Sequence, residues 1–258
     1  MPGRGAAPVG VFDSGAGGLS VVAAIRAALP ALPIRYFADT AYAPYGERSE
    51  EEILERTRYA CGRLLQEGAC ALVIACNTAT ANAIDTIRSE VGVPVIGVEP
   101  GLKPGAATTK SGVVGVLATQ ATLASERYRT LARKVQADAP GVRFLEHAAR
   151  GWVELVEAGE IDSPRASQSV RTAIEPLLAQ GADTLVLGCT HYPFLRGAIE
   201  RAARGASVIE TGPAVARELQ RRLPEQDLAS SAGRGPLRFE SSGDPAQFEA
   251  LAHRLLAR

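Results

Sequence analysis

The chain has 258 residues, enough for one large domain or for two of about a hundred residues each. Its 28 Lys and Arg are balanced by 28 Asp and Glu, which excludes a broad cationic field for nucleic acid or an anionic membrane. No apolar run is long enough to span a bilayer, no apolar signal core precedes the first strand, and the four cysteines form no Cys-x-x-Cys pair, so the pattern predicts a cytoplasmic protein without disulfides.

Pro8-Val9-Gly10-Val11-Phe12 predicts a first strand. Asp13-Ser14-Gly15-Ala16-Gly17-Gly18-Leu19-Ser20 then makes a glycine-rich turn into a helix that runs through Ile25 to Leu29. Glycines let the backbone approach a ligand, and a helix start favours a negatively charged group. The turn lacks the Gly-Lys-Ser/Thr ending of a P-loop and the spacing of a dinucleotide fingerprint, so a plain strand-to-helix turn stays open beside a binding loop. Ile34-Arg35-Tyr36-Phe37-Ala38 predicts a second strand, followed by a loop with two tyrosines and a Pro44-Tyr45-Gly46 turn. Such a loop at a strand edge is a candidate binding element or an exposed turn. An acidic helix start at Glu50-Glu51-Glu52 leads to a helix ending near Gly68. Cys61 and Cys70 read as small core residues.

Leu72-Val73-Ile74-Ala75-Cys76-Asn77-Thr78 is a buried parallel strand by its apolar, β-branched run, with a helix start directly after the cysteine. The pattern returns at Leu185-Val186-Leu187-Gly188-Cys189-Thr190-His191. Residues 114–119 match 9–14 with hydroxyl on hydroxyl, 142–145 match 34–37, and 208–209 match 95–96. Four strands in one order, repeated, predict two pseudo-symmetric doubly wound α/β lobes with mainly parallel sheets facing a central cleft. The Pro- and Gly-rich stretch from Glu99 to Gly105, with Lys103, reads as a crossing turn, and Glu210-Thr211-Gly212-Pro213 as a second crossing. The lobes are then residues 1–99 with 210–258, carrying Cys76, and residues 100–209, carrying Cys189.

A thiol at each of two matched strand ends suits proton transfer at one carbon from opposite faces. A free cysteine titrates near ~8.5, so a thiolate is accessible close to neutral pH. His191 can take a proton from Cys189. Asp13 can accept or shuttle a proton near Cys76, although an anion there would by itself oppose thiolate formation. Ser14, Asn77, Thr78, Thr119 and Thr190 are hydrogen-bonding groups at strand ends, suited to carboxylates and an ammonium group. Trp152 reads as packing, and Glu157 as a solvated helix face or an acid. The lysines Lys103, Lys110 and Lys134 lie outside these motifs, which does not favour a Schiff-base cofactor. Cys189 and His191 lack a third and fourth metal ligand in the sequence pattern, which leaves metal binding only weakly supported.

Taken together, residues 12–19, 44–49, 75–79 and 188–193 resemble the motifs of the bacterial glutamate racemases, in that family's order over nearly the whole chain. The resemblance implies cofactor-independent interconversion of L- and D-glutamate, supplying D-glutamate for peptidoglycan. Cys76 would deprotonate D-glutamate and Cys189 L-glutamate, assisted by Asp13 and His191. Asp13-Ser14, Tyr45-Gly46, Asn77-Thr78 and Thr190-His191 would bind substrate. Glu157 matches the family's third assisting acid, although Arg150-Gly151 stands where a Cys-Pro pair is expected. An aspartate or hydantoin racemase, a hydrolase using Cys189 alone and a purely binding protein are the alternatives. A homodimer is among the assemblies that paired lobes allow.

Overall fold

The computed structural model describes residues 7–224 and 233–257; residues 1–6, where the sequence shows no signal core, lie outside that range. The chain forms two compact units: the first runs to Val98 and resumes at Gly212, and the second is Glu99–Thr211. In the first unit the order is β1 (Val9–Asp13), α1 (Leu19–Ala28), β2 (Ile34–Ala38), 3-10 turns at Thr40–Tyr42 and Tyr45–Glu47, α2 (Glu50–Gln66), β3 (Ala71–Ile74), α3 (Asn77–Glu90) and β4 (Val95–Gly97). β1 and β3 are buried at every residue, as expected for parallel strands covered on both faces. Ser49 starts α2 with a capping box: its hydroxyl accepts the Glu52 amide, and Glu52 reaches back to the Ser49 amide at 3.1 Å.

The second unit contains α4 (Leu102–Thr108), β5 (Val113–Ala118), α5 (Gln120–Ala124), α6 (Glu126–Asp138), β6 (Arg143–Ala148), α7 (Trp152–Glu157), α8 (Pro164–Ala179), β7 (Thr184–Gly188), a 3-10 turn at Tyr192–Leu195, α9 (Arg196–Ala203) and β8 (Ser207–Ile209). Lys103 therefore lies on a helix and not in a crossing turn. Pro104 stands in the first turn of α4, where its missing N–H has no helical partner to lose. The chain then returns to the first unit through α10 (Gly212–Arg222), β9 (Leu237–Ser241) and α11 (Pro245–Leu256).

All ladders are parallel, and the strand orders are β4-β3-β1-β2-β9 and β8-β7-β5-β6. β1 to β4 thus repeat as β5 to β8 in the same arrangement, and β9 is added beside β2. In each sheet the connections run in opposite directions from the first strand, so the order reverses between β1 and β3 and again between β5 and β7. Ligands of open α/β sheets bind at the carboxyl end of such switch points. Asp13 and Cys76 flank the first of these ends; Thr119 and Cys189 flank the second.

The opposite, amino-terminal edge of the second sheet is secured by Asp183. One carboxylate oxygen accepts the Thr109 and Thr184 hydroxyls at 2.5 and 3.0 Å, and the other accepts the Lys110 and Ser111 amides at 2.7 and 2.8 Å. Burial works against its ionisation, but these donors outweigh it and hold the carboxyl below its usual range. Asp183→Asn would turn an NH2 toward one pair of donors and should cost about 1–2 kcal/mol after allowance for solvent screening. Because the folded-state pKa is depressed, this contribution is complete above the unfolded value near ~4 and is lost as pH falls below it. Denaturant titrations at neutral and acid pH should therefore show a variant gap that closes in acid; an equal gap at both would contradict the clamp.

Candidate active site

In the first unit the site begins where β1 ends. Asp13 is fully buried, and its Oδ1 accepts the Gly15 amide at 2.8 Å. Tyr36 of β2 donates its hydroxyl to the Gly15 carbonyl at 2.7 Å, while its ring stacks on Phe248 of α11 at 5.7 Å. The aromatic core thus fixes the turn that carries Asp13 and Ser14. Gly18 completes the turn: a Cβ there would lie 2.7 Å from the Asp13 Cβ and 2.8 Å from the Tyr36 hydroxyl. Ser14 Oγ lies 3.5 Å from Asp13 Oδ1 and 3.6 Å from Cys76 Sγ.

Cys76, 7% exposed, is the N-cap of α3, and its sulfur accepts the Ala79 amide at 3.5 Å. A helix N-terminus favours negative charge, here on the thiolate. Asn77 and Thr78 follow in the first turn, both buried. Among the described residues, neither the oxygen nor the nitrogen of the Asn77 amide has a hydrogen-bond partner. A buried amide in that condition is costly, and a polar ligand offering both a donor and an acceptor would relieve it.

Beside this edge, Asp39 directly follows β2, one position beyond the register of Asp13 at the end of β1, and its amide donates to the Asp13 carbonyl at 3.0 Å. Arg56 of α2 grips the buried Asp39 carboxylate with two hydrogen bonds, of 2.9 and 2.7 Å, and Tyr45 donates its hydroxyl at 2.6 Å. Burial raises the Asp39 pKa, but the bonds from Arg56, Tyr45 and Ser242 prevail and hold it below its ordinary value. Burial and Asp39 together push the Tyr45 phenol far above its ordinary pKa. Its hydroxyl is therefore neutral with its proton committed to Asp39, and the Tyr45 carbonyl accepts the Arg48 amide at 3.2 Å. The Arg56 guanidinium also lies 3.7 Å from the centroid of the Tyr42 ring.

In the second unit the surroundings of the thiol differ from expectation. The sequence predicts a helix directly after each cysteine, and only Cys76 has one. A helix starting at Thr190 would need the Pro193 N–H to bond the Cys189 carbonyl; proline has none, and the Tyr192 amide takes that carbonyl at 3.2 Å in a tighter turn. α9 begins only at Arg196. Instead of a helix end, Cys189 has His191, whose Nδ1 is 3.7 Å from its sulfur and whose Nε2 is 2.6 Å from Glu157 Oε1. Burial disfavours the imidazolium, but the hydrogen bonds to Cys189 and Glu157 outweigh it and hold the His191 pKa well above its ordinary value.

Glu157, read from the residue pattern alone as a helix face in solvent, is thus half-buried against His191 at the end of α7. Trp152, at the start of that helix, is fully buried edge-on to Tyr192, with ring centroids 4.8 Å apart, and the Tyr192 hydroxyl donates to the Ala149 carbonyl at 3.2 Å. These contacts pin α7 to the turn after His191. Gly151, ahead of Trp152, has φ +80°, a conformation that favours glycine, and so explains the residue at this departure from the family motif. Thr190 is buried, and Thr119 caps α5 by accepting the Thr122 amide at 3.2 Å.

Asp13, Ser14, Cys76, Asn77 and Thr78 therefore gather at one sheet edge, and Cys189, Thr190, His191 and Glu157 at the other. Tyr36, Asp39, Arg56 and Tyr192 support these groups, and the sequence pattern alone gives them no role; for Asp39 the available signal is an acid directly after a buried strand. Among the described residues no three His, Cys, Asp or Glu side chains are arranged to hold a metal ion, and no helix is long and apolar enough to cross a membrane.

Residues 10–219 match the sequence model of the Asp/Glu/Hydantoin racemase family. A glutamate racemase from Ralstonia pickettii (strain 12J) is 50% identical over 257 residues, covering 99% of this chain and 90% of the relative. The crystal structure of the glutamate racemase isoform RacE1 from Bacillus anthracis superposes with a TM-score of 0.87 at 32% identity, over 99% of this chain and 96% of that one. An Escherichia coli glutamate racemase in complex with L-glutamate and the activator UDP-MurNAc-ala gives 0.82 at 31% identity, over 96% of this chain and 95% of that one.

Proposed function

The chain belongs to the Asp/Glu/Hydantoin racemase family, and on that premise we propose that it interconverts L- and D-glutamate by proton transfer between two thiols. The observation that carries this reading is the matched pair of strand-end cysteines, each hydrogen-bonded to a side chain that is itself bonded to a carboxylate. In one direction the Cys76 thiolate removes the α-proton of D-glutamate and the Cys189 thiol returns a proton to the opposite face; in the other direction the roles exchange. Because the α-proton is far less acidic than a thiol, the developing carbanion needs preorganised donors around it. Asn77, Thr78, Ser14, Thr119, Thr190 and the Tyr45-Gly46 turn are proposed to hold the carboxylates and the ammonium group. The identity of the relatives supports glutamate over aspartate. We place the enzyme in the cytoplasm, as a source of D-glutamate for peptidoglycan; its assembly, monomer or homodimer, is read by light scattering.

The test is L-glutamate in D2O with chelator-treated protein and no added pyridoxal phosphate. Deuterium at the α-carbon of newly formed D-glutamate is the expected result. Turnover of aspartate or a hydantoin with none of glutamate would move the assignment within the family, and no exchange on any of the three would overturn it.

Glu157→Gln probes the second thiol. His191 would lose the carboxylate that sustains its positive charge and would deprotonate at lower pH. The expected result is a kcat lower by about 10²-fold, at the low end of general acid–base contributions. The alkaline limb of the pH profile should move toward lower pH, and an unmoved limb would separate Glu157 from the chemistry.

A further inference from the structure

Ser14 stands between the ionisable groups of the first unit, 3.5 Å from Asp13 Oδ1 and 3.6 Å from Cys76 Sγ. A hydroxyl has one proton to donate and two lone pairs, whereas an ionised carboxylate can only accept. The Ser14 proton therefore points to Asp13, and the contact with sulfur is made by the Cys76 S–H donating to Ser14 Oγ. Asp13 is fully buried and Ser14 is 7% exposed. The Ala79 amide, 3.5 Å from the sulfur, keeps its proton and remains to stabilise the thiolate once it forms.

Such a row answers a difficulty raised by Asp13. A buried carboxylate close to a thiol opposes its ionisation, because two like charges would share one site. If the thiol proton passes to the carboxylate, the negative charge moves from oxygen to sulfur and is never doubled.

We propose that Ser14 relays the Cys76 proton to Asp13, making Cys76, Ser14 and Asp13 one proton-transfer unit. This rests on the two-thiol reading above and gives Ser14 a second task besides holding substrate. The S–H bond of Cys76 breaks as its proton bonds to Ser14 Oγ, while the original Ser14 O–H breaks and its proton bonds to the Asp13 carboxylate. The products are a thiolate, an unchanged serine and a neutral carboxylic acid, with one negative charge throughout. The second unit has the same plan, Cys189 to His191 to Glu157, with one difference. Imidazole can keep the proton, so His191 is itself the reservoir, whereas a serine hydroxyl must hand it on.

A double-mutant cycle tests the relay through kcat and through the α-deuterium isotope effect measured separately on D- and L-glutamate. Ser14→Ala should lower kcat by about 10²-fold. It should raise the isotope effect on D-glutamate, whose proton goes to Cys76, and lower that on L-glutamate. Ser14→Thr, which keeps a hydroxyl, should recover most of the loss. Asp13→Asn added to Ser14→Ala should cost no more than about a further twofold, since groups that act through one another are not additive. Ser14→Gly, which adds no bulk, repeats the measurement if thermal melting shows that alanine unfolds the turn. Losses that multiply in the double variant would overturn the relay. So would a rise in KM for both enantiomers with unchanged isotope effects, which is the result for a serine that only holds substrate. A wild-type protein that exchanges neither enantiomer fails the two-thiol reading and this proposal together; an active wild type with multiplying losses fails the relay alone.

Discussion

Replacing either strand-end cysteine by alanine should abolish racemisation while leaving one enantiomer, a different one in each variant, able to exchange its α-proton with solvent. Inversion needs a base on one face and an acid on the other, so loss of either thiol removes a positioned proton carrier. Such carriers contribute up to about 10⁴-fold, and a fall in kcat/KM of at least ~10³-fold is expected for each variant. Both sulfurs belong to residues only 7% exposed, so bulk water is poorly placed to substitute. Under the proposed two-thiol scheme, Cys76→Ala retains Cys189 to take and return the proton of L-glutamate on a single face, and Cys189→Ala retains the corresponding exchange of D-glutamate. Proton NMR in D2O with chiral separation of the products reads both quantities. Full turnover by Cys76→Ala would instead point to chemistry that needs only Cys189 and His191, and exchange of both enantiomers by one variant would show that a single thiol reaches both faces.

The largest effect on stability is expected at Asp39. Removing its carboxylate in Asp39→Ala leaves the Arg56 guanidinium and the Tyr45 hydroxyl without the acceptor that now takes three hydrogen bonds from them. Breaking a buried ion pair from one side typically costs about 3–5 kcal/mol, because the remaining charge has lost its solvation and its partner together. For a chain of this length that corresponds to a fall in melting temperature of roughly 10 °C. Tyr45→Phe, which deletes one hydrogen bond and keeps the ring, should cost only about 1 kcal/mol. Since the folded-state pKa of Asp39 is depressed, its contribution is present above the unfolded carboxyl value near ~4 and is lost as pH falls below it. The difference between Asp39→Ala and wild type should therefore narrow in acid. Melting curves across pH are the measurement, and an Asp39→Ala transition within about 2 °C of wild type at neutral pH would show that Arg56 and Tyr45 find other partners.

What could be read beforehand follows how far each signal travels along the chain. Leu72 to Ile74 and Leu185 to Leu187 announce themselves because a parallel strand covered on both faces must be apolar throughout, and repetition of the whole strand series then implies two equivalent sheets. After Cys189 the expected helix gives way to a tighter turn through a single residue, Pro193, whose missing N–H matters only once the hydrogen-bond partner of the Cys189 carbonyl is known. Glu157 reaches His191 across 34 positions of sequence, and Arg56 reaches Asp39 across 17. Neither pairing leaves a periodic trace, so Glu157 could be assigned only through the resemblance, and Arg56 was one cation on a charged helix. Tyr36 reads as an ordinary strand residue, and its grip on the Gly15 carbonyl depends on the register that sets Val11 beside it.

The interruption of the first unit by the second has a consequence for the order in which the protein is made. Synthesis runs from the N-terminus, and domains form as their residues become available. The unit bearing Cys189 has all of its strands once Ile209 has emerged. Its counterpart must wait: α10 packs on α1, β9 pairs with β2, and Ser241 and Ser242 tie down Thr40 and Ala41 at 2.7 and 3.1 Å. Until Leu237–Ser241 arrives, Ile34–Ala38 ends its sheet with an open, apolar edge, the kind of surface on which nascent chains pair with the wrong neighbour. Premature termination between Ile209 and Leu237 should thus yield one finished half and one adhesive half, which makes the closing strand a safeguard for newly made chains as well as part of the fold.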